Sequence, residues 1–176
     1  GGTGAMLYAA RIGLEKALPG THREGLKKKA VIFTSDQSHY CALNVAGWLG
    51  LGLEQVHRVR TGDNNAMDLA ALETALRGTL DQGTKIATII ATMGSTDAFG
   101  IDDLKGIVEL RDRLMEEYRL DYRPHVHADA VIGWAWSVFR DYDLTANELG
   151  FRGRTVRALA AANHELKHLP QADSIG

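Results

Sequence analysis

Four short candidate strands, Ala30 to Phe33, Val56 to Val59, Lys85 to Ala91 and Pro124 to Ala130, are separated by stretches with helical spacing, and this alternation constrains the fold more than any other feature. Strands joined by helices that must cross back over the sheet form βαβ units, so the pattern predicts a mainly parallel sheet with helices on both faces. The helical segments carry their own signals. One starts near Thr3 and is closed by Pro19-Gly20, a second runs from Ser38 to Leu49, and a third is capped by Asp68 and reaches about Arg77. A fourth begins at Asp102 and runs to about Tyr118, with Ile107, Leu110 and Leu114 on one stripe. Thr61-Gly62-Asp63-Asn64 marks a turn. Beyond Trp136 the pattern loosens into an irregular insertion, with a short helix at Thr155 to Asn163 and a further strand beginning at Asp173. The expected architecture is an α/β, three-layer αβα fold.

At 176 residues and 45% hydrophobic content, the chain has enough apolar side chains for one core. Its net charge of −2 offers no field to hold nucleic acid or an anionic membrane, and no stretch reaches the roughly 18 apolar residues of a membrane span. Neither partner is expected. Lys27-Lys28-Lys29 reads as a solvated loop ahead of a strand. A single cysteine, Cys41, fits a reducing compartment, so the expected location is cytoplasmic.

In a parallel sheet ligands sit at the carboxyl ends of the strands, so residues just after each strand carry the functional information. Four segments qualify. Gly1-Gly2-Thr3-Gly4 opens a helix, where exposed N–H groups and the Thr3 hydroxyl suit an anion, although such a start also serves as a plain cap. Ser38-His39-Tyr40-Cys41 follows the first strand; His39 and Cys41 are two apart, which argues against a thiol–imidazole dyad on a helix, and His39 alone reads equally as a helix-start histidine. Thr92-Met93-Gly94-Ser95-Thr96 reads by itself as a turn. In His125-Val126-His127-Ala128-Asp129-Ala130 the strand period puts His125, His127 and Asp129 on one face. That trio invites a metal, but the other strand ends supply mostly Ser and Thr, so the ligand set is incomplete and no metal is expected.

Taken in order, the four segments resemble the large domain of the group II pyridoxal-phosphate-dependent amino-acid decarboxylases, the family of glutamate, aromatic amino-acid, tyrosine and histidine decarboxylases. Gly1-Gly2-Thr3 resembles that family's phosphate loop, with Met6 where asparagine is common. Ser38-His39-Tyr40-Cys41 resembles its His-Tyr-Ser segment, with Cys41 in place of serine. Thr92-Met93-Gly94-Ser95-Thr96 with Asp102 resembles its Thr-x-Gly-Thr-Thr segment and following aspartate, and His127-Ala128-Asp129-Ala130 resembles its His-Val-Asp-Ala strand end.

The resemblance implies a fold-type-I large domain and decarboxylation of an L-amino acid to an amine and CO2. It implies pyridoxal 5'-phosphate as cofactor, a small-molecule amino-acid substrate and a homodimer with sites at the subunit interface. It assigns His39 to stacking on the cofactor ring and Asp129 to the ring nitrogen, with both as catalytic residues. Gly2 and Thr3 are assigned to the phosphate, Ser95 to a position close to the cofactor, and Val131 to the place under the ring held by a smaller alanine in the family. His125 and His127 are expected to be structural. The family's Schiff-base lysine lies in an Asp-x-His-Lys segment that residues 1–176 do not contain, and Lys167 does not match it. Residues 1–176 are therefore expected to be one part of the large domain, without the small C-terminal domain, and to be inactive alone. Another fold-type-I enzyme, an aminotransferase or carbon–sulfur lyase, and a non-catalytic cofactor-binding remnant are the alternatives.

Overall fold

A computed structural model describes residues 1–176. Helix α1 (Gly2–Ala17) and the single turn α2 (Thr21–Glu24) precede β1 (Ala30–Ser35); α3 (Cys41–Trp48) leads to β2 (Val56–Val59), and α4 (Leu69–Asp81) to β3 (Lys85–Thr92). Helix α5 (Leu104–Glu117), β4 (His125–Asp129), a 3-10 segment at Gly133–Phe139, α6 (Gly153–Leu166) and β5 (Ser174–Ile175) complete the order. The five strands form one sheet in the order β2-β1-β3-β4-β5, with every pair parallel. The expected αβα layering and parallel sheet are present. The sheet grows from β1 first to β2 and then, on the other side, to β3, so the order reverses between β1 and β3 and leaves a crevice at their carboxyl ends.

Alternate strand residues feed two cores. Ala30 and Ile32 of β1 pack with α1 and α3 through Met6, Ala10, Leu14, Cys41, Ala42, Val45 and Ala46. Val31 and Phe33 face the other way, to Leu72 and Leu76 of α4, Ile107 and Leu114 of α5, and Ala162 and Leu166 of α6. On β4, Val126 and Ala128 join this second core, leaving His125, His127 and Asp129 on the α1 face. Gly13 sets how closely α1 approaches the sheet: a Cβ there would stand 2.4 Å from the Ala87 carbonyl oxygen.

Several boundaries differ from the sequence reading, and at α3 and α5 the reason is that side chains take over backbone groups. Helix α3 starts at Cys41 rather than Ser38: the Ser38 hydroxyl is engaged by Thr34, Ser35 and Thr92, and the Cys41 N–H donates to Nδ1 of His39 at 3.2 Å. Helix α5 is capped by Asp103, which accepts from the Gly106 N–H at 2.8 Å, not by Asp102. Asp102 turns inward and accepts from the N–H groups of Met67 and Thr92, both at 2.7 Å. Helix α6 runs well beyond Thr155 to Asn163, because Leu159, Ala162 and Leu166 give it a buried stripe. The insertion between Gly133 and Gly153 has a small core of its own, with Phe139, Tyr142 and Phe151 packed edge to face. Strand β5 is seated by the buried Arg111, whose guanidinium bonds Asp173 at 2.8 Å and the Pro124 carbonyl at 3.1 Å. No helix is long and apolar enough to cross a membrane.

Candidate active site

Helix α1 begins at the reversal point of the sheet. Its N-cap, Gly1, has no side chain to offer, and its carbonyl accepts from the N–H groups of Gly4 and Ala5, which leaves the N–H groups of Gly2 and Thr3 without helical partners. With the positive end of the helix dipole they make a place for an anion. The start of α1 abuts the residue after β4, since a Cβ on Gly2 would stand 2.2 Å from a methyl of Val131.

The loop after β1 brings in His39. Its Nδ1 accepts from the Cys41 N–H, so the neutral ring carries its proton on Nε2, and the ring lies 4.1 Å from that of Tyr40. The hydroxyls of Ser38 and Thr92 bond each other and tie this loop to the end of β3. After β3, Gly94 has φ +116 and lies against the Gly133 backbone; a Cβ on Gly133 would meet the Met93 carbonyl oxygen at 1.6 Å, so both positions require glycine. Ser95 is buried, and its hydroxyl accepts from the Gly100 N–H at 3.0 Å, holding the loop closed.

Asp129 ends β4, opposite Thr92 of β3. Its side chain is 9% exposed, accepts a long 3.4 Å bond from the Val131 N–H, and forms no ion pair with any Lys, Arg or His. A nearly buried carboxylate without a cationic partner is costly unless a cation completes it. Cys41 lies beside it with the thiol pushed up to about 11, by burial first and then by the Asp129 charge. Asp102, beneath the cavity, is pushed up to about 6 by burial, against the pull of its two N–H donors.

These residues meet. A cavity of about 170 Å³ is lined by Gly2, Thr3, His39, Ser95, Asp129 and Val131, all six of the residues expected from the sequence. Cys41, Thr92, Gly94, Thr96 and Ile132 complete the wall. Of these, Thr92 opens the segment after β3 that the sequence singled out and stands level with Asp129 on the adjacent strand, whereas Ile132 carried no sequence signal. His125 and His127 lie outside the wall; both rings bond the Ser174 hydroxyl, and no group of three or more His, Cys, Asp or Glu side chains is placed to hold a metal.

A parallel αβα sheet with this cavity at its reversal point is the architecture of the fold-type-I pyridoxal-phosphate-dependent decarboxylases. The chain belongs to the family of the pyridoxal-dependent decarboxylase conserved domain, which matches residues 5–139. It is 33% identical over 128 residues to an L-tyrosine decarboxylase of Enterococcus faecalis, covering 72% of this chain and 20% of that protein. It is 30% identical over 124 residues to an L-2,4-diaminobutyrate decarboxylase of Acinetobacter baumannii, covering 68% of this chain and 23% of that protein. Among solved structures, mouse CSAD in its apo form superposes with a TM-score of 0.73 at 25% identity over 99% of this chain and 31% of its own. Rice (Oryza sativa) TDC with PLP and tryptamine shares the fold with a TM-score of 0.75 at 19% identity, over 98% of this chain and 30% of its own. The chain thus spans about a fifth of the curated relatives and under a third of the solved ones.

Proposed function

We propose that residues 1–176 are part of the cofactor-binding large domain of a pyridoxal-phosphate-dependent decarboxylase, which converts an L-amino acid to an amine and CO2. The observation that carries this reading is the pairing, around one cavity, of an uncapped helix N-terminus with a buried carboxylate that has no cation. The first fits a phosphate and the second fits a protonated ring nitrogen, the two charged ends of pyridoxal phosphate. When bound, that group supplies an electron sink for the charge left at Cα after loss of CO2.

Each residue of the chain then has a role. The N–H groups of Gly2 and Thr3 and the Thr3 hydroxyl bind the phosphate. Asp129 holds a proton on the ring nitrogen by charge pairing. His39, fixed by the Cys41 N–H, offers a flat imidazole for the ring to lie against. Ser95 keeps the β3 loop shut over the cavity, and Val131 fills the floor beside Gly2. The substrate is a small-molecule amino acid. The same reading carries a homodimer in the cytoplasm; Tyr8 and Ile12 on α1, and Tyr40 and Trp48 at the two ends of α3, expose apolar surface of the kind a second copy covers.

The test is turnover of the full-length protein against a panel of amino acids, scored for amine and CO2. Asp129→Ala is expected to cut turnover by about 10²–10³-fold or more while the fold is retained. Normal turnover in that variant, or formation of a keto acid in place of CO2, overturns the reading.

A further inference from the structure

A second cavity opens on the α4–α6 side of the sheet and shares no wall residue with the first. Its volume is about 490 Å³, within the roughly 300–1,000 Å³ of small-molecule sites. Phe99 and Ile101 from the loop after β3, Trp136 from the 3-10 segment and Ala161 from α6 form its apolar walls. Phe99 has φ +53, a left-handed backbone that is costly for a bulky side chain, and its ring meets that of Trp136 edge to face with centroids 5.2 Å apart. Two carboxylates, Asp103 and Glu165, face the same space.

The charge on these walls is unbalanced. Neither Lys nor Arg lines the cavity, and neither carboxylate is paired with one. One oxygen of Asp103 accepts from the Gly106 N–H at 2.8 Å, and the other has no partner. The single ion-pair contact of Glu165 is with Nε2 of His164, at 4.0 Å, too far for a hydrogen bond. Lys167 turns its Nζ to Nδ1 of that same ring, 3.1 Å away, rather than to a carboxylate. Burial first and then the Asp103 charge push the Glu165 carboxyl up, as befits two anions in an apolar recess with no cation between them.

We propose that this cavity is a second binding site, for an organic ammonium ion with a compact apolar body. Asp103 and Glu165 take the charge, and Phe99, Ile101 and Trp136 cover the rest; aromatic faces add their own attraction for a cation. A neutral ligand of the same shape leaves both carboxylates unpaired, and an anion is repelled. The proposal goes beyond the decarboxylase reading and does not depend on it. The loop after β3 nonetheless serves both places: Gly94, Ser95 and Thr96 line the first cavity, Phe99 and Ile101 the second, and the Gly100 N–H bond to the Ser95 hydroxyl joins the two halves.

The experiment is a calorimetric titration of the full-length protein near pH 7, with and without pyridoxal phosphate. The probe is N,N-dimethyl-2-phenylethylammonium, a tertiary ammonium that cannot condense with an aldehyde, and 2-phenylethanol is its neutral counterpart. Wild type is expected to bind one ammonium per chain whether or not the cofactor is present, and to bind the alcohol far more weakly. Glu165→Gln, which keeps the shape of the side chain, should weaken binding about tenfold or more. Ala161→Leu, at an exposed position of α6, should abolish it by filling the space, and gives a second route should the glutamine variant fail to fold. Asp129→Ala should leave the affinity unchanged. Absence of binding to wild type, as when another part of the full-length protein fills the cavity, overturns the proposal. So do equal affinities for the ammonium and the alcohol, or full affinity in folded Glu165→Gln or Ala161→Leu. Binding that disappears with Asp129→Ala or on adding pyridoxal phosphate lies in the first cavity and overturns it equally.

Discussion

The two faces of the sheet are packed by different means. On the α4–α6 side the core is made of bulk: Leu72, Leu76, Ile107, Leu110 and Leu114 fill the space, and helix position follows from how large side chains interdigitate. On the α1–α3 side it is made of closeness: Ala9, Ala10, Gly13, Ala42 and Ala46 let two helices lie almost on the strands. The cavity belongs to the close-packed side, where the start of α1 and the strand ends must meet within one small ligand's length. Bulk gives stability, and small residues give placement.

That contrast can be broken by mutation. Leu76→Ala, in a side chain 1% exposed, is expected to cost about 4 kcal/mol in chemical denaturation while cofactor affinity is kept. A large loss of affinity there would mean that the bulk face also positions the site.

Acid offers a second way in. His125 has its pKa lowered from 6.5 to about 4, by burial first and then by the Lys16 charge. Between those values the unfolded chain binds more protons than the folded one. Its contribution is therefore complete above about pH 6.5 and is lost as pH falls through 4, on the order of 3 kcal/mol. Asp102, on the other core's side of the strand ends, works with the opposite sign: its pKa is raised from 3.8 to about 6, so its contribution is complete below 3.8 and is lost as pH rises through 6. Denaturation midpoints of His125→Asn and Asp102→Asn across pH 4 to 7 should lose opposite slopes relative to wild type; slopes that change in the same direction would refute the assignment.

Gly13→Ala sharpens the comparison further. Its methyl would press on the Ala87 carbonyl and the Thr88 hydroxyl, so α1 has to lift. The stability cost is about 2 kcal/mol, smaller than that of Leu76→Ala, yet cofactor affinity should fall because the phosphate-binding end moves. Equal affinity in wild type and variant would show that the spacing of α1 is not what the site needs. The smallest effect is at the surface, where Glu73 bridges Arg77 and Arg113 between α4 and α5. Exposed pairs contribute little, so Glu73→Gln should barely move the midpoint in the same denaturation assay and leave the site untouched.

The sheet was legible because β1 and β3 read as short, largely apolar runs of the kind a strand buried on both faces carries, and such strands with intervening helices pack as a parallel sheet. The six residues assigned from the family resemblance meet for a related reason: His39, Ser95 and Val131 follow strands, Asp129 ends one, and Gly2 and Thr3 open α1 at the same rim. What stayed hidden depended on side chains bonding across the fold. Asp102 looked like a helix cap, because nothing local shows that the N–H groups of Met67 and Thr92 claim it and leave Asp103 to cap α5. The start of α3 looked three residues too early for the same reason, since Ser38 bonds Thr92 far along the chain. The hydrogen-bond chain through His125 and His127 was equally out of reach, because its middle member, Ser174, comes from a strand 47 and more residues away.

Cys41 turns the close packing of α1 on α3 into something that can be timed. Its sulfur sits 3.3 Å from that of Met6 on α1, with the thiol pushed up to about 11. Near pH 7.4 only about one molecule in several thousand carries the thiolate, so an alkylating reagent finds almost nothing to attack while the helices stay together. Whenever α1 lifts, the sulfur regains an ordinary acidity and is consumed. The rate of alkylation at this one atom is thus a clock for local opening at the edge of the cavity, and a bound phosphate should slow it.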